Sequence, residues 1–249
     1  MSGHSKWANI KHKKGKADAA RGKIFTKIGR EIAIAVREGG SDPALNSKLF
    51  DVIAKAKANN MPGDNIARSV KKAAGELGTV SYEEIIYEGY APGGVAVIVE
   101  TVTDNRNRTA SDIRHIFDKC GGSLGTTNSV GYMFDRKGLL VIERKPGVAE
   151  DDMMMLAMES GADDFEASDD AFEVSTDPTD FSAVRTELEK QGMPFLSAEL
   201  TRVPRNWIAV DNPDTVASVS KLIDMLEDMD DVMNVYHNAE LPDEPDEDD

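Results

Sequence analysis

The sequence predicts an α+β fold, in which a basic arm and a three-helix bundle precede two α+β domains. Two observations predict it. Apolar residues recur with the helical period as far as Gly75 and with a strand-like period after Gly78. Farther along the chain, segments that read as strands and helices follow one another in the order βαββαβ, which is typical of a ferredoxin-like unit.

Three amphipathic helices are predicted between residues 17 and 75. The first runs from Ala17 to Glu38, the second opens at Asp42-Pro43, and the third opens at Pro62. Their apolar stripes are Ile24, Ile28, Ile32, Ala35 and Val36; Leu45, Leu49, Val52, Ile53 and Ala56; and Ile66, Val70, Ala73 and Ala74. Each stripe lies on one side of its helix, so the three helices can share a small core.

The remaining chain is predicted to form two α+β domains. The predicted elements are strands at 82–90, 95–102, 132–134, 138–144, 165–167, 172–175, 195–203 and 232–237, and helices around 113–117 and at 150–160, 181–191 and 215–229. The last helix and strand have no partner in a complete βαββαβ unit, and the first ββα piece is equally incomplete. We therefore expect them to complete each other, with the ferredoxin-like unit inserted between them. The domains would be residues 1–78, 79–135 plus 205–240, and 136–204, followed by a disordered acidic tail at 241–249.

Charge is distributed very unevenly along the 249 residues. The net charge is −16, yet residues 1–75 hold 16 Lys/Arg against 6 Asp/Glu, whereas the rest hold 13 against 39. A basic module on an acidic body indicates a polyanionic partner that contacts a defined face. Residues 1–16 have no apolar periodicity and are expected to be a mobile arm that orders on that partner.

Composition limits the remaining classes. Cys120 is the single cysteine, so no disulfide can form within the chain, and no apolar run approaches the length of a membrane span. The basic N-terminus lacks the apolar stretch of a secretory signal. We therefore expect a cytoplasmic protein.

Five long blocks of the sequence resemble one known family. They are MSGHSKWANIKHKK, RGKIFTKIGREI, GGSDPALNSKL, KANNMPGDNIARSVKKAAG and YEGYAPGGVAVIVETVTDNRNRTASDIRHIF. The resemblance is to the YebC/PmpR family, which also includes mitochondrial translational activators of cytochrome c oxidase. It implies a three-domain cytoplasmic protein that is a probable DNA-binding transcriptional regulator, although some members are assigned to translation at the ribosome. Ala91 and Asn128 depart from the family pattern, which usually has glycine at both positions.

The candidate nucleic-acid-binding residues are the cations of the arm, of the three helices and of one polar loop, together with the aromatic side chains among them. They are His4, Lys6, Trp7, Lys11, His12, Lys13, Lys14, Lys16, Arg21, Lys23, Lys27, Arg30, Arg68, Lys71, Lys72, Arg106 and Arg108. Such cations neutralise phosphates and release counterions, which gives salt-dependent binding. The alternative for the arm is a solvated tail that only aids solubility.

Individual members of this set have alternatives of their own. Trp7 either stacks on an unpaired base or pins the arm to the helical domain. His4 and His12 either contact the nucleic acid or are bystanders. Arg106 and Arg108 either hold a phosphate at the start of a helix, or pair with nearby acids while Asp104 or Thr109 starts that helix.

Other motifs favour structural roles. Met153, Met154, Met155 and Met158 are interpreted as core residues rather than as a peptide-binding surface. The acid pairs are interpreted as solvated faces, and no paired ligand spacing predicts a metal, a cofactor or a catalytic nucleophile.

The sequence thus predicts a non-enzymatic nucleic-acid-binding regulator of gene expression, whose partner is promoter DNA or, alternatively, ribosomal RNA or tRNA on the ribosome. The absence of a base-reading helix slightly favours RNA, whereas the family label favours DNA. A magnesium-dependent nuclease and a protein adaptor with a basic arm are the alternatives from other classes.

Overall fold

The computed structural model describes residues 17–75, 81–145 and 147–242, with side chains described from Gly22 onward. The expected mobile arm and the tail beyond residue 242 lie outside the described residues. Helices and antiparallel sheets alternate through the described part, which confirms the α+β class.

The elements are numbered here in chain order. Their bounds are α1 Ala17–Gly39, α2 Ser47–Ala58, α3 Gly63–Ala73, β1 Glu83–Ala91, β2 Val95–Thr103, α4 Arg106–Lys119, β3 Ser123–Leu124, β4 Phe134–Glu143, α5 Glu150–Glu159, β5 Asp164–Ala167, β6 Ala171–Thr176, α6 Phe181–Lys190, β7 Phe195–Pro204, β8 Ile208–Ala209, α7 Pro213–Glu227, β9 Val232–His237 and β10 Ala239–Glu240. Short 3₁₀ turns occupy Pro92–Gly94 and Gly131–Met133.

The three N-terminal helices share one core, built from the predicted stripes around Ile32, Leu49 and Ile66. The predicted start of the second helix is wrong. Helix α2 begins at Ser47, because the Asn46 side chain accepts a hydrogen bond from the backbone N–H of Leu49 at 3.0 Å and so caps it. Leu45, predicted to face inward, precedes that cap and is 83% exposed.

The first sheet has the strand order β3-β1-β2-β9. Strands β1 and β2 form an antiparallel hairpin, and β9 pairs antiparallel with β2. Helices α4 and α7 cover one face, and their apolar stripes bury a core against alternate residues of β2 such as Val97 and Val99. The two-residue strands β8 and β10 pair in parallel beside it.

The second sheet has the order β5-β6-β4-β7, the order expected of a βαββαβ repeat. Helices α5 and α6 supply Met153, Val184 and Leu188 to its core, which also contains Phe172. The strand predicted at 138–144 is confirmed as part of β4, whereas the separate strand predicted at 132–134 is wrong. A 3₁₀ turn precedes one continuous strand, β4, which passes through Gly138, where any Cβ would meet Thr176 and Phe181.

By the density of its contacts the chain forms two compact units. Among the described residues, one unit holds Lys23–Asp135 together with the segment from Pro204 onward, and the other holds residues 17–22 together with Arg136–Val203. The division into three domains and a tail stays a prediction.

Candidate nucleic-acid interface

The basic flank of α1 contacts the chain itself. Lys23 Nζ lies 2.9 Å from the Asp228 carboxylate, and Lys27 Nζ donates to the Glu227 carbonyl at 2.7 Å. These acceptors lie at the C-terminal end of α7, where carbonyls without helical partners attract cations. The predicted nucleic-acid contacts of both lysines stay predictions, and each lysine already has an intramolecular partner.

Arg30, one turn farther along α1, is largely enclosed. Its side chain is 15% exposed and donates to the Asp231 carboxylate and to the carbonyls of Val102 at 3.1 Å and Asp230 at 2.8 Å. Its guanidinium carbon also lies 5.6 Å from the centre of the Tyr82 ring. Its enclosure and its ion pair with Asp231 leave Arg30 poorly placed to bind a phosphate.

Asp231 is the centre of this cluster. Besides Arg30, its carboxylate accepts hydrogen bonds from Thr109 Oγ1 at 2.6 Å, Arg108 Nη2 at 2.9 Å and Thr103 Oγ1 at 3.1 Å. Burial by itself would raise the pKa of Asp231, but these hydrogen bonds and the charge of Arg30 outweigh burial and lower the pKa to about 2. One buried carboxylate therefore joins α1, the end of β2 and the start of α4.

Both arginines of the polar loop pair with acids. Arg106 lies 3.3 Å from Glu83, and Arg108 bridges Asp104 at 2.8 Å and Asp231, which raises the pKa of Arg108. The expected helix start at Asp104 or Thr109 is wrong. Helix α4 is capped by Asn105, whose side chain accepts from the backbone N–H of Arg108 at 3.1 Å.

A surface depression of 420 Å³ lies beside this cluster. It is lined by Arg30, Asp104, Arg108, Asp112, Met229, Asp230 and Asp231. Four carboxylates face two guanidinium groups, so the local charge is unfavourable for a phosphate. The phosphate-binding prediction for Arg106 and Arg108 remains untested, but the surrounding charge favours the ion-pair alternative.

The cations of α3 differ from those of α1 and α4. Arg68, Lys71 and Lys72 are all exposed, and in residues 22–75, 81–145 and 147–242 no acid forms an ion pair with them. The i, i+3, i+4 spacing places them together on one side of α3, opposite the buried Ile66. We call these three residues the α3 cationic face.

Several candidates cannot be placed. His4, Lys6, Trp7, Lys11, His12, Lys13, Lys14, Lys16 and the side chain of Arg21 lie outside the described residues. Lys57, which is not among the predicted binding residues, is also an exposed cation, near the C-terminal end of α2.

Sequence reasoning also missed a buried carboxylate on β1. Glu88 is 5% exposed and accepts from the backbone N–H groups of Asn128 at 2.9 Å, Val130 at 2.8 Å and Gly131 at 2.7 Å. It therefore organises the loop before β4. Asn128 has φ +64°, a left-handed conformation that glycine adopts most easily and that asparagine tolerates better than most other residues do. Ala91 has an ordinary φ of −80°.

The interpretation of the α5 methionines as core residues is wrong for three of the four. Met153 is buried at 2%, whereas Met154, Met155 and Met158 are 45%, 59% and 48% exposed. Three consecutive methionines on a helix cannot all face one core, because each residue turns by about 100°. Within the described residues, no group of three or more metal-binding side chains is found.

Comparison with known proteins finds two family models that together match nearly the whole chain. A family model described as the TACO1/YebC protein N-terminal domain matches residues 5–76, and one described as the TACO1/YebC second and third domain matches residues 82–239. This chain belongs to the TACO1/YebC family. A relative in Acetivibrio thermocellus, named a probable transcriptional regulatory protein, is 62% identical over 96% of the chain and 98% of its own length.

A second TACO1/YebC relative and one solved structure are also similar to this chain over nearly its whole length. A probable transcriptional regulatory protein of Clostridium novyi is 62% identical over 98% of this chain and 99% of its own length. The crystal structure of a conserved hypothetical protein from Aquifex aeolicus superposes with a TM-score of 0.86 at 46% identity, covering 96% of this chain and 98% of that one. In the described part of this TACO1/YebC chain, no helix is long and apolar enough to cross a membrane.

Proposed function

We propose that this protein is a non-enzymatic regulator of gene expression that binds the phosphate backbone of DNA through its N-terminal basic segment. The names of its relatives support a transcriptional regulator. The finer claim, nucleic-acid binding by residues 1–75, rests on the electrostatics of that segment.

The α3 cationic face carries the proposal. Among the predicted binding residues that are described, Lys23, Arg30, Arg106 and Arg108 are paired with acids of the same chain. The three cations of α3 have no such partner among the described residues and are exposed together. Before binding, only solvent ions neutralise these cations. A phosphate that binds there therefore releases those counterions and breaks no internal ion pair.

The same face argues for phosphate contact rather than base reading. Its exposed side chains are mainly long cations, with Asp64 beside them. Asn65 lies one turn before Arg68 on the same side of α3 but is half-buried. Phosphate contacts position a protein on a duplex but carry no sequence information directly. Sequence preference would have to come from the arm or from a partner.

The test is binding of a fluorescent duplex DNA by the full chain, measured by anisotropy at several salt concentrations. The variant Arg68→Gln/Lys71→Gln/Lys72→Gln should bind at least about tenfold more weakly at 0.1 M salt. Its slope of log affinity against log salt should fall by about two to three, close to one per lost phosphate contact.

A matched control carries the same change in net charge. Lys48→Gln/Lys190→Gln/Arg205→Gln neutralises three cations that are already paired with acids, and it should leave the affinity and the slope nearly unchanged. If both variants lost the same amount of DNA affinity, the loss would be due to the change in net charge and not to the α3 cationic face. An unchanged slope in the α3 variant would refute the interface.

RNA is the second candidate partner, favoured because α3 presents mainly Lys and Arg rather than a mixed base-reading face. Competition between duplex DNA and a structured RNA of equal length decides between them. Preference for the RNA by tenfold or more, with sedimentation alongside ribosomes, would move the function to translation.

A further inference from the structure

The outer side of α5, in the acidic segment Arg136–Val203, carries an exposed apolar surface. Met154, Met155 and Met158 are each between 45% and 59% exposed. We call these three residues the α5 methionine face. The i, i+1 and i+4 spacing places them on adjacent parts of one side of the helix.

This face is not needed to seat α5 in its own unit. The opposite side of the helix already buries Met153 at 2% and Ala157 at 0% against the sheet core. A helix that is apolar on both sides has a second surface available for a partner. Methionine suits such a surface, because its unbranched, polarisable side chain adapts to differently shaped apolar groups.

Acids surround the methionines. Asp151, Asp152 and Glu159 lie on the same helix and are exposed, and among the described residues none of them takes part in an ion pair. The segment Arg136–Val203, in which α5 lies, holds sixteen Asp/Glu against seven Lys/Arg. An apolar strip bordered by unpaired carboxylates complements an apolar strip bordered by cations.

We propose that the α5 methionine face binds a basic amphipathic helix of a partner protein, with apolar residues on the methionines and Lys or Arg over the flanking carboxylates. Helices of this kind bind Met-rich apolar surfaces through anchors at i, i+3, i+4 and i+7. Nucleic acid is repelled by the same carboxylates. A symmetric contact with a second copy would place acid against acid.

This inference goes beyond the proposed function and depends on different residues. Cations of α3 would hold the nucleic acid, and α5 would hold a protein, so one chain could join the two. Failure of either idea leaves the other intact.

The experiment uses the full chain and a designed 18-residue helical peptide with a leucine stripe flanked by lysine and arginine, followed by fluorescence anisotropy. A peptide of the same composition in scrambled order, without an amphipathic face, is the first control. We expect the amphipathic peptide to bind at least tenfold more tightly than the scrambled one. Because both peptides carry the same charge, this difference measures the contribution of the leucine stripe.

Two variants locate the site. Met154→Gln/Met155→Gln/Met158→Gln keeps good helix formers on an exposed surface and should bind the peptide at least tenfold more weakly, with unchanged thermal unfolding. The control Leu45→Gln/Leu200→Gln removes two other exposed apolar side chains and should bind like the wild type.

Three results would overturn the proposal. One is equal affinity of the wild type and the methionine variant for the amphipathic peptide. Another is self-association of the wild type in sedimentation that the methionine variant abolishes, which would make the face a contact between copies. The last is loss of DNA or RNA binding in the methionine variant, which would assign the face to nucleic acid.

Discussion

Replacing Asp231 by asparagine should destabilise the unit that contains α1, the first sheet and α4. The carboxylate accepts hydrogen bonds from Arg30, Thr103, Arg108 and Thr109, and its side chain is 8% exposed. The substitution keeps the shape and one acceptor oxygen but removes the charge. Arg30, at 15% exposed, would then lack its counter-charge.

The magnitude follows from the pKa. A decrease from 3.8 to about 2 corresponds to roughly 2 kcal/mol of stabilisation of the ionised form in the folded state. Breaking a buried pair by removing one partner costs about 3–5 kcal/mol, but the half-exposed Arg108 can return to solvent. We therefore expect Asp231→Asn to lower the free energy of unfolding by about 2–4 kcal/mol.

The assay is urea unfolding followed by the fluorescence of Trp207, in a Trp7→Phe background that leaves it as the single tryptophan. Asp230→Asn is the matched control, because Asp230 is exposed and contacts Arg30 only through its carbonyl. The control should change the free energy of unfolding by less than about 0.5 kcal/mol.

The pH dependence supplies an independent check. A carboxylate whose folded pKa is depressed stabilises the protein above its unfolded pKa, and that contribution is lost as the pH falls through the folded value. The difference between the wild type and Asp231→Asn should thus be complete at pH 6 and should narrow from about pH 4 toward pH 2. A difference below 0.5 kcal/mol at pH 6, or one that stays constant down to pH 3, would refute the reasoning.

Three further predictions concern the first sheet. Glu88→Gln should lower the free energy of unfolding by about 1–3 kcal/mol and speed hydrogen exchange in the loop before β4, because an amide cannot satisfy three N–H donors as a carboxylate does. The control Glu84→Gln, on the exposed part of β1, should change neither the free energy of unfolding nor the exchange rate. Asn128→Gly should be neutral within about 0.5 kcal/mol, whereas Asn128→Val should cost about 1–2 kcal/mol in thermal unfolding, since φ is +64°; equal effects would contradict a left-handed residue there. Gly89→Ala should cost about 1–3 kcal/mol in urea unfolding, because its Cβ would lie 2.6 Å from the Ser123 carbonyl oxygen; an unchanged midpoint would contradict that close approach.

Local patterns predicted the elements well where one side of each element is buried. The stripe on α4, with Ile113, Ile116 and Phe117, is buried as expected, and β9 has the predicted bounds. Patterns failed where a local hydrogen bond competes with periodicity. The Asn46 cap places the start of α2 after Leu45, and a 3₁₀ turn occupies Gly131–Met133, where a strand was predicted.

The sequence by itself determined the α+β class, the uneven charge and the family, because apolar period, composition and long matching blocks are properties of consecutive residues. Only the tertiary structure decided which cations are already paired. Lys23 and Arg30 meet Asp228 and Asp231, which lie about two hundred residues away in the chain, and no local pattern encodes so distant a contact. Exposure of the α5 methionines was likewise decided in three dimensions, since a helix with two apolar sides can turn only one toward its own core.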